Sequence, residues 1–219
     1  MLQRLLNSVI TVGMFAVAVA VVYLAAQPRS FARTSWSNFR RDQATKRTLS
    51  QDWLQIASSS ARLDFANADS SAEVVEFSDY ECPFCRKADG VIDSVLLDTP
   101  MRIAYRHVPL RIHPAAAGAA RASICAEGQG RFREMHHELM TTTKWQTDSN
   151  WTREAKAAGV PNIAAFETCL SSASTSRRLT QDSTFAASLR VDGTPSFFSA
   201  RRAHRGAINS VLLRSLAGR

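Results

Sequence analysis

Hydrophobic and polar positions follow three regimes along this 219-residue chain. Val9 to Ala26 is apolar apart from Thr11, Gly13 and Tyr23, long enough to just cross a bilayer as a helix. Residues 27–60 show no sustained period. Ser, Thr, Gln and Arg surround isolated Phe31, Trp36, Phe39 and Trp53, which predicts a solvated basic linker beside the membrane. There is room in it for a short helix around Ser50–Ser58. Ordered patterning begins after that. Glu73 to Tyr80 is short and β-rich and predicts a strand. Val91, Ile92, Val95 and Leu96 recur at helical spacing. Met101 to Val108 predicts a second strand, ended by Pro109.

A helical stretch follows. Ala115 to Ala126 is alanine-rich, and Phe132, Met135, Leu139 and Met140 keep the 3.6-residue period. Trp151 to Ala158 stops at Gly159 with Pro161 beyond, and Asn162 is placed to cap a helix through Leu170. Leu179, Phe185 and Leu189 suit one more helix. Ser196 to Ser199 and Ala203 to Ala207 predict two short strands, and Val211, Leu212 and Leu216 a closing helix. The order predicts an α/β core interrupted by a helical insertion at about 113–190, between the second and third strands. The expected divisions are a leader at 1–26, a linker at 27–60 and a folded domain at 61–219.

Composition adds a core and removes a partner. Hydrophobic residues make up 45%, enough to bury a sizeable interior. The net charge of +8 raises the question of nucleic acid, but residues 1–50 hold seven basic side chains against Asp42 alone. The folded part is nearly balanced, so no nucleic-acid partner is expected. The leader is either a signal anchor or a cleaved signal peptide. A cut after Ala26 would put Leu24 at the −3 position, and Ala18-Val19-Ala20 lies inside the apolar run, so the anchor is preferred. Arg29, Arg33, Arg40 and Arg41 follow the run, and charge alone would hold the C-terminal side in the cytoplasm. The cysteine chemistry argues the opposite.

Four cysteines are present: Cys82, Cys85, Cys125 and Cys169. The first two stand at the predicted strand-to-helix junction as Cys82-Pro83-Phe84-Cys85. A thiolate is the nucleophile of disulfide exchange, so a useful cysteine must ionise near neutral pH. A helix N-terminus stabilises that charge, with values of roughly 3.5–7.5 in such motifs against ~8.5 for a free thiol. Pro83 suits the first helical turn. Cys82 is thus the attacking thiol, and Cys85, one turn on, resolves the mixed disulfide. Half of a zinc site is the competing reading, but zinc needs four ligands and no second pair stands at suitable spacing. A copper-handling module using the two soft thiolates is another; methionine and histidine clusters would support it, but only five Met are present and Met14 lies in the leader. No cofactor or metal is expected.

Four segments together resemble the DsbA-like branch of the thioredoxin superfamily, over about Glu73 to Gly206. They are Val74 to Cys85; Arg106-His107-Val108-Pro109-Leu110 with His113-Pro114; Cys125 to Phe132; and Gly193-Thr194-Pro195-Ser196-Phe197-Phe198. The resemblance implies a thioredoxin fold with a helical insertion. It implies a cis Pro195 opposite the cysteine pair, with the Thr194 backbone pairing to substrate. It also implies a buried acid at Glu76, six residues before Cys82, that exchanges protons with Cys85. A structural disulfide between Cys125 and Cys169 is implied too, with two buried free thiols as the alternative.

The expected protein is therefore an extracytoplasmic thiol–disulfide oxidoreductase, on the periplasmic side of a bacterial inner membrane. It would introduce disulfides into reduced or misoxidised exported proteins, and the resemblance implies re-oxidation by a membrane quinone-linked thiol oxidase. A reductase or isomerase using the same pair remains open. His107, His113, His136, His137 and His204 are expected to be structural or superficial. Arg86 and Lys87 either support the Cys82 thiolate or form a solvated helix start, and Arg201, Arg202 and Arg205 guard a sheet edge.

Overall fold

The computed structural model describes residues 14–19, 22–23, 29–58, 61–63 and 73–218. It divides into one unit at 1–43 and a second at 44–219. In the first, residues 14–19 and 22–23 are helical and exposed. The rest of the apolar run Val9–Ala26, expected as a membrane leader, lies outside the described residues. Among the described residues no helix is long and apolar enough to cross a membrane.

The second unit is built on a four-stranded sheet of order β2-β1-β3-β4. Its strands are β1 (Val74–Ser78), β2 (Ile103–His107), β3 (Ser196–Phe198) and β4 (Ala203–Arg205). β1 pairs in parallel with β2 and antiparallel with β3, and β3 pairs antiparallel with β4. All of β1 and β2 is buried, because helices cover both faces of the sheet. The outer edge of β2 is closed by residues 61–63: Leu63 N–H donates to Ile103 O and Tyr105 N–H to Ala61 O.

On one face Val74, Ile103, Tyr105 and Phe197 pack against Cys85, Ala88, Ile92 and Val95 of α2 (Pro83–Leu96) and against the helices that follow β2. Those helices are α3 (Ala116–Glu127), α4 (Phe132–Thr141), α5 (Trp145–Asp148), α6 (Trp151–Ala157), α7 (Ile163–Leu170) and α8 (Ala173–Ser188). α3 lies at their centre, and its alanines permit the close approach. An added Cβ at Gly118 would sit 2.4 Å from a ring carbon of Trp151, so the stripe leaves no spare volume. Cys125 on α3 and Cys169 on α7 are joined as a disulfide. Helix α9 (Ser210–Leu216) closes the chain, capped by the Asn209 side chain.

The expected linker at 27–60 is corrected by the other face. Arg29–Ala57 is one 29-residue helix, α1, and the folded unit begins at Ala44 rather than at 61. Thr45, Leu49 and Ile56 are buried, and Trp53 packs beside them, at spacings of four, four and three. This stripe meets Val75, Phe77, Ala104, Phe198, Ala186 and Leu189. The stripe is narrow and diluted by polar residues, so it did not stand out as a helical period. Its C-terminal carbonyls have a distant partner. Arg106 on β2 donates to Ile56 O at 2.8 and 3.1 Å and to Gln55 O at 2.9 Å. The same guanidinium donates to Asp182 of α8 at 2.8 Å and lies 4.6 Å from the Phe185 ring centroid. Asp182 in turn accepts from the His107 N–H at 3.0 Å. Arg106 is 2% and Asp182 0% exposed, so the ion pair is dry and joins α1, β2 and α8.

Candidate active site

The chain leaves β1 through Asp79-Tyr80-Glu81 and enters α2 at Cys82. Asp79, itself buried, shapes this turn. One oxygen accepts from Glu81 N–H at 2.8 Å; the other accepts from Leu110 N–H at 2.7 Å and lies 2.8 Å from His113 Nδ1. Glu81 accepts from Ala115 N–H at 2.9 Å. The two carboxylates tie the loop after β2 to the active-site turn. Cys82 is the N-cap of α2, with extended backbone (φ −71°, ψ 122°), and Pro83 begins the helix.

Both cysteines are free thiols, with Cys82 4% and Cys85 0% exposed. The Cys82 thiol is lowered from 9.0 to about 5. The first cause is hydrogen bonding with Cys85. The hydrogen-bonding contribution of Thr194 and the N–H groups of Cys85 and Phe84 help, against the opposing effect of burial. Cys85 moves the other way. Burial, then its bond to the Cys82 sulfur and the charge of Glu76, push its proton affinity well above that of an ordinary thiol. The two sulfurs thus differ, Cys82 giving up its proton readily and Cys85 holding on to its own.

Opposite the pair, Thr194–Pro195 is cis, and Cys82 Sγ lies 3.4 Å from Thr194 O. The loop is held by Ser196 Oγ donating to Gly193 O and by Gly206 N–H donating to Pro195 O. Gly206 has φ 90°, a left-handed conformation that suits glycine where β4 ends two residues before the expected Ala207. Glu76 projects from β1 to the α2 face, fully buried, with neither carboxylate oxygen in a hydrogen bond of normal geometry. Burial raises it from 4.5 to about 8. Cys82, Cys85, Glu76, Thr194 and Pro195 thus converge on one place. Cys125 and Cys169 sit apart from it, in the helical insertion.

Other side chains fall where the sequence did not place them. Arg86 does not serve Cys82. Its guanidinium donates to Leu139 O and Thr142 O at 2.8 Å and to Met140 O, and packs over Trp145, fastening α2 to the end of α4. Arg205 donates to Thr45 and Leu189 O and lies over the Phe198 ring.

Behind the cysteines is a polar and aromatic cluster that sequence reasoning missed. Tyr80 stacks on Tyr105 at 5.3 Å, and its hydroxyl lies 2.8 Å from Ser123 Oγ and 3.2 Å from His136 Nδ1. His136 Nε2 reaches Asp89 of α2 at 2.8 Å. His107 is buried with neither ring nitrogen hydrogen-bonded among the described residues, and desolvation lowers it to about 4. Alternation along β1 and β2 puts Glu76, Ser78, Tyr105 and His107 on one face, and that was the signal available. Among the described residues no group of three or more His, Cys, Asp and Glu is placed to hold a metal.

Comparison with known proteins bears on the family and the fold. The family model of the DSBA-like thioredoxin domain matches residues 73–216. The Na(+)/H(+) antiporter NhaA 1 of Mycolicibacterium gilvum is 39% identical over 161 residues, covering 69% of this chain and 25% of that protein. The chain therefore spans about a quarter of the length of the curated relatives it matches. Among solved structures, the thiol-disulfide exchange protein alpha-DsbA2 of Wolbachia pipientis superposes with a TM-score of 0.71 at 21% identity, covering 82% of this chain and 97% of that one. A periplasmic thioredoxin-like protein of Salmonella enterica serovar Typhimurium gives 0.63 at 18%, covering 77% and 95%. These two likenesses establish the fold.

Proposed function

Because the chain belongs to the DSBA-like thioredoxin domain family, we propose that Cys82 and Cys85 pass a disulfide to reduced exported proteins outside the cytoplasm. The observation that carries the direction is the Cys82 thiol, lowered to about 5. A stabilised thiolate stabilises the reduced enzyme, which makes its disulfide oxidising.

A substrate thiolate attacks Cys82 of the disulfide form. The Cys82–Cys85 bond breaks, a substrate–Cys82 bond forms, and Cys85 leaves as a thiolate. Glu76, protonated at neutral pH, gives Cys85 a proton across the buried face. A second substrate thiolate then attacks the substrate sulfur and expels Cys82, whose charge the α2 N-terminus holds. The substrate has lost two electrons and the enzyme has gained them. The backbone of Thr194, beside cis Pro195, pairs with the substrate chain next to Cys82. A membrane quinone-linked thiol oxidase restores the disulfide, and the Cys125–Cys169 bond is structural.

Two similarities support the location. The Salmonella structure is of a periplasmic protein, and the curated relatives with matching stretches are Na(+)/H(+) antiporters, whose work of moving ions is done at a membrane. An N-terminal anchor, or a signal peptide, at 1–26 completes the reading. The test is the reduction potential of Cys82/Cys85, with oxidation of a reduced, unfolded protein as the activity. A potential nearer ~−120 mV than ~−270 mV is expected, with activity lost in Cys82→Ser. A value near the lower figure would make the protein a reductase.

A further inference from the structure

Ser78 is a buried hydroxyl with no hydrogen bond of normal geometry, in the central strand of the sheet. Such a group is a standing cost, because an apolar residue of similar size would avoid its desolvation. Its neighbours are unusual. It shares a face of β1 with Glu76, two residues before it, whose carboxylate is likewise buried and makes no hydrogen bond of normal geometry. Tyr105 stands opposite Glu76 in the parallel register, and α2 brings Cys85 over the same face. The Ser78 hydroxyl lowers the proton affinity of Glu76, Cys85 and Tyr105 alike, as one donor within reach of three groups does. Tyr105 is held neutral by burial, so the pair between which a proton has reason to move is Glu76 and Cys85.

We propose that Ser78 is the relay through which Glu76 and Cys85 exchange their proton. This rests on Glu76 being the proton partner of Cys85. When Cys85 leaves as a thiolate, the Ser78 O–H proton passes to the Cys85 sulfur and the Glu76 carboxyl proton replaces it on Ser78. The products are the Cys85 thiol, an intact serine and the Glu76 carboxylate. In reverse, Cys85 gives its proton to Ser78, which gives its own to Glu76, and the Cys85 thiolate attacks the mixed disulfide. Two protons move, and none is created or lost. A direct transfer would move one and leave Ser78 a spectator.

Reaction of the reduced full-length protein with excess Ellman's reagent separates the steps. The first thionitrobenzoate released reports attack by Cys82, and the second reports attack by Cys85. Ser78→Ala should leave the first phase unchanged and slow the second on the order of tenfold, within the ~10²–10⁴-fold scale of general acid–base catalysis. Its second phase should also lose the wild-type pH profile. In mixtures of light and heavy water the wild-type second phase should depend on deuterium content along a curve, and that of Ser78→Ala along a straighter line. Equal shapes, or a wild-type second phase in Ser78→Ala, would overturn the relay. Glu76→Gln separates the two claims. If it is slow while Ser78→Ala is normal, the relay alone falls; if its own second phase is normal, the role of Glu76 falls and the relay with it. Should Ser78→Ala fail to fold, a straight dependence in the wild type overturns the relay and a curved one supports it.

Discussion

Replacing Glu76 by glutamine should stabilise the disulfide form, and increasingly so as pH rises. Glu76 is fully buried, with neither oxygen in a hydrogen bond of normal geometry. Desolvation is the main cause of its rise from 4.5 to about 8; the charge of Asp89 adds to it, and the Ser78 hydroxyl opposes it. The unfolded chain releases this proton near 4.5, whereas the folded protein keeps it until about pH 8. Between those values the folded state binds more protons, so the stability contributed by Glu76 is full below pH 4.5 and is lost as pH climbs to about 8. At about 1.4 kcal/mol per pH unit, the interval amounts to on the order of 4–5 kcal/mol. Glutamine keeps the shape and has no proton to lose. Urea unfolding at pH 4.5, 6.5 and 8, followed by the fluorescence of buried Trp145, measures the difference. The oxidised form is needed because in the reduced protein the Cys82 thiolate adds its charge to those acting on Glu76, so that the two titrations no longer separate. His107 titrates in both proteins and cancels. A difference between variant and wild type that stays flat across the three pH values would refute the reasoning.

The Cys82 thiolate should absorb near 240 nm with a titration midpoint of about 5 in the reduced protein. Its reaction rate with a small disulfide should stay flat from pH 6 to 8, and a rise of about tenfold per pH unit would mean an ordinary thiol. Asp182→Ala should cost about 3–5 kcal/mol in urea unfolding, because it leaves the Arg106 guanidinium buried without its counter-ion. A loss under ~1 kcal/mol would contradict a dry pair. Removing the Cys125–Cys169 bond as a double alanine variant should cost about 4 kcal/mol for a loop closed across 44 positions. The first Ellman's phase of Cys82 should be unaffected.

What was legible in the sequence was local. Val74-Val75-Glu76-Phe77 reads as a strand, Pro83 as a helix start and Asn162 as a cap, because each depends on neighbours within a few residues. Of helix α1 only the last part was legible, as a short helix around Ser50–Ser58. Its stripe of Thr45, Leu49, Trp53 and Ile56 is stabilised by a sheet face, and its last carbonyls by Arg106, 50 residues away. The segment 61–63 was too short to show a strand period, yet it closes an edge. Arg86 illustrates the same limit at the site. Its position four residues after Cys82 and directly after Cys85 left open electrostatic help or a solvated helix start, while the Leu139, Met140 and Thr142 carbonyls at the end of α4 and the Trp145 ring decide where the guanidinium goes. Likewise Glu76 was recognised by its offset from Cys82, but Ser78 gained meaning only from the register that sets Tyr105 opposite Glu76.

The turn before Cys82 separates two properties that could have been tied together. Asp79 and Glu81 hold the loop after β2 by hydrogen bonds to backbone N–H groups, and none of those bonds involves Pro83 or Phe84. Both residues between the cysteines are exposed, Phe84 by 56%. The dipeptide is thus an exchangeable part on a fixed mount. Substitutions at these two surface positions are therefore expected to shift the reduction potential of the pair while the hydrogen bonds that aim the sulfur stay as they are, and urea unfolding of such variants should match the wild type.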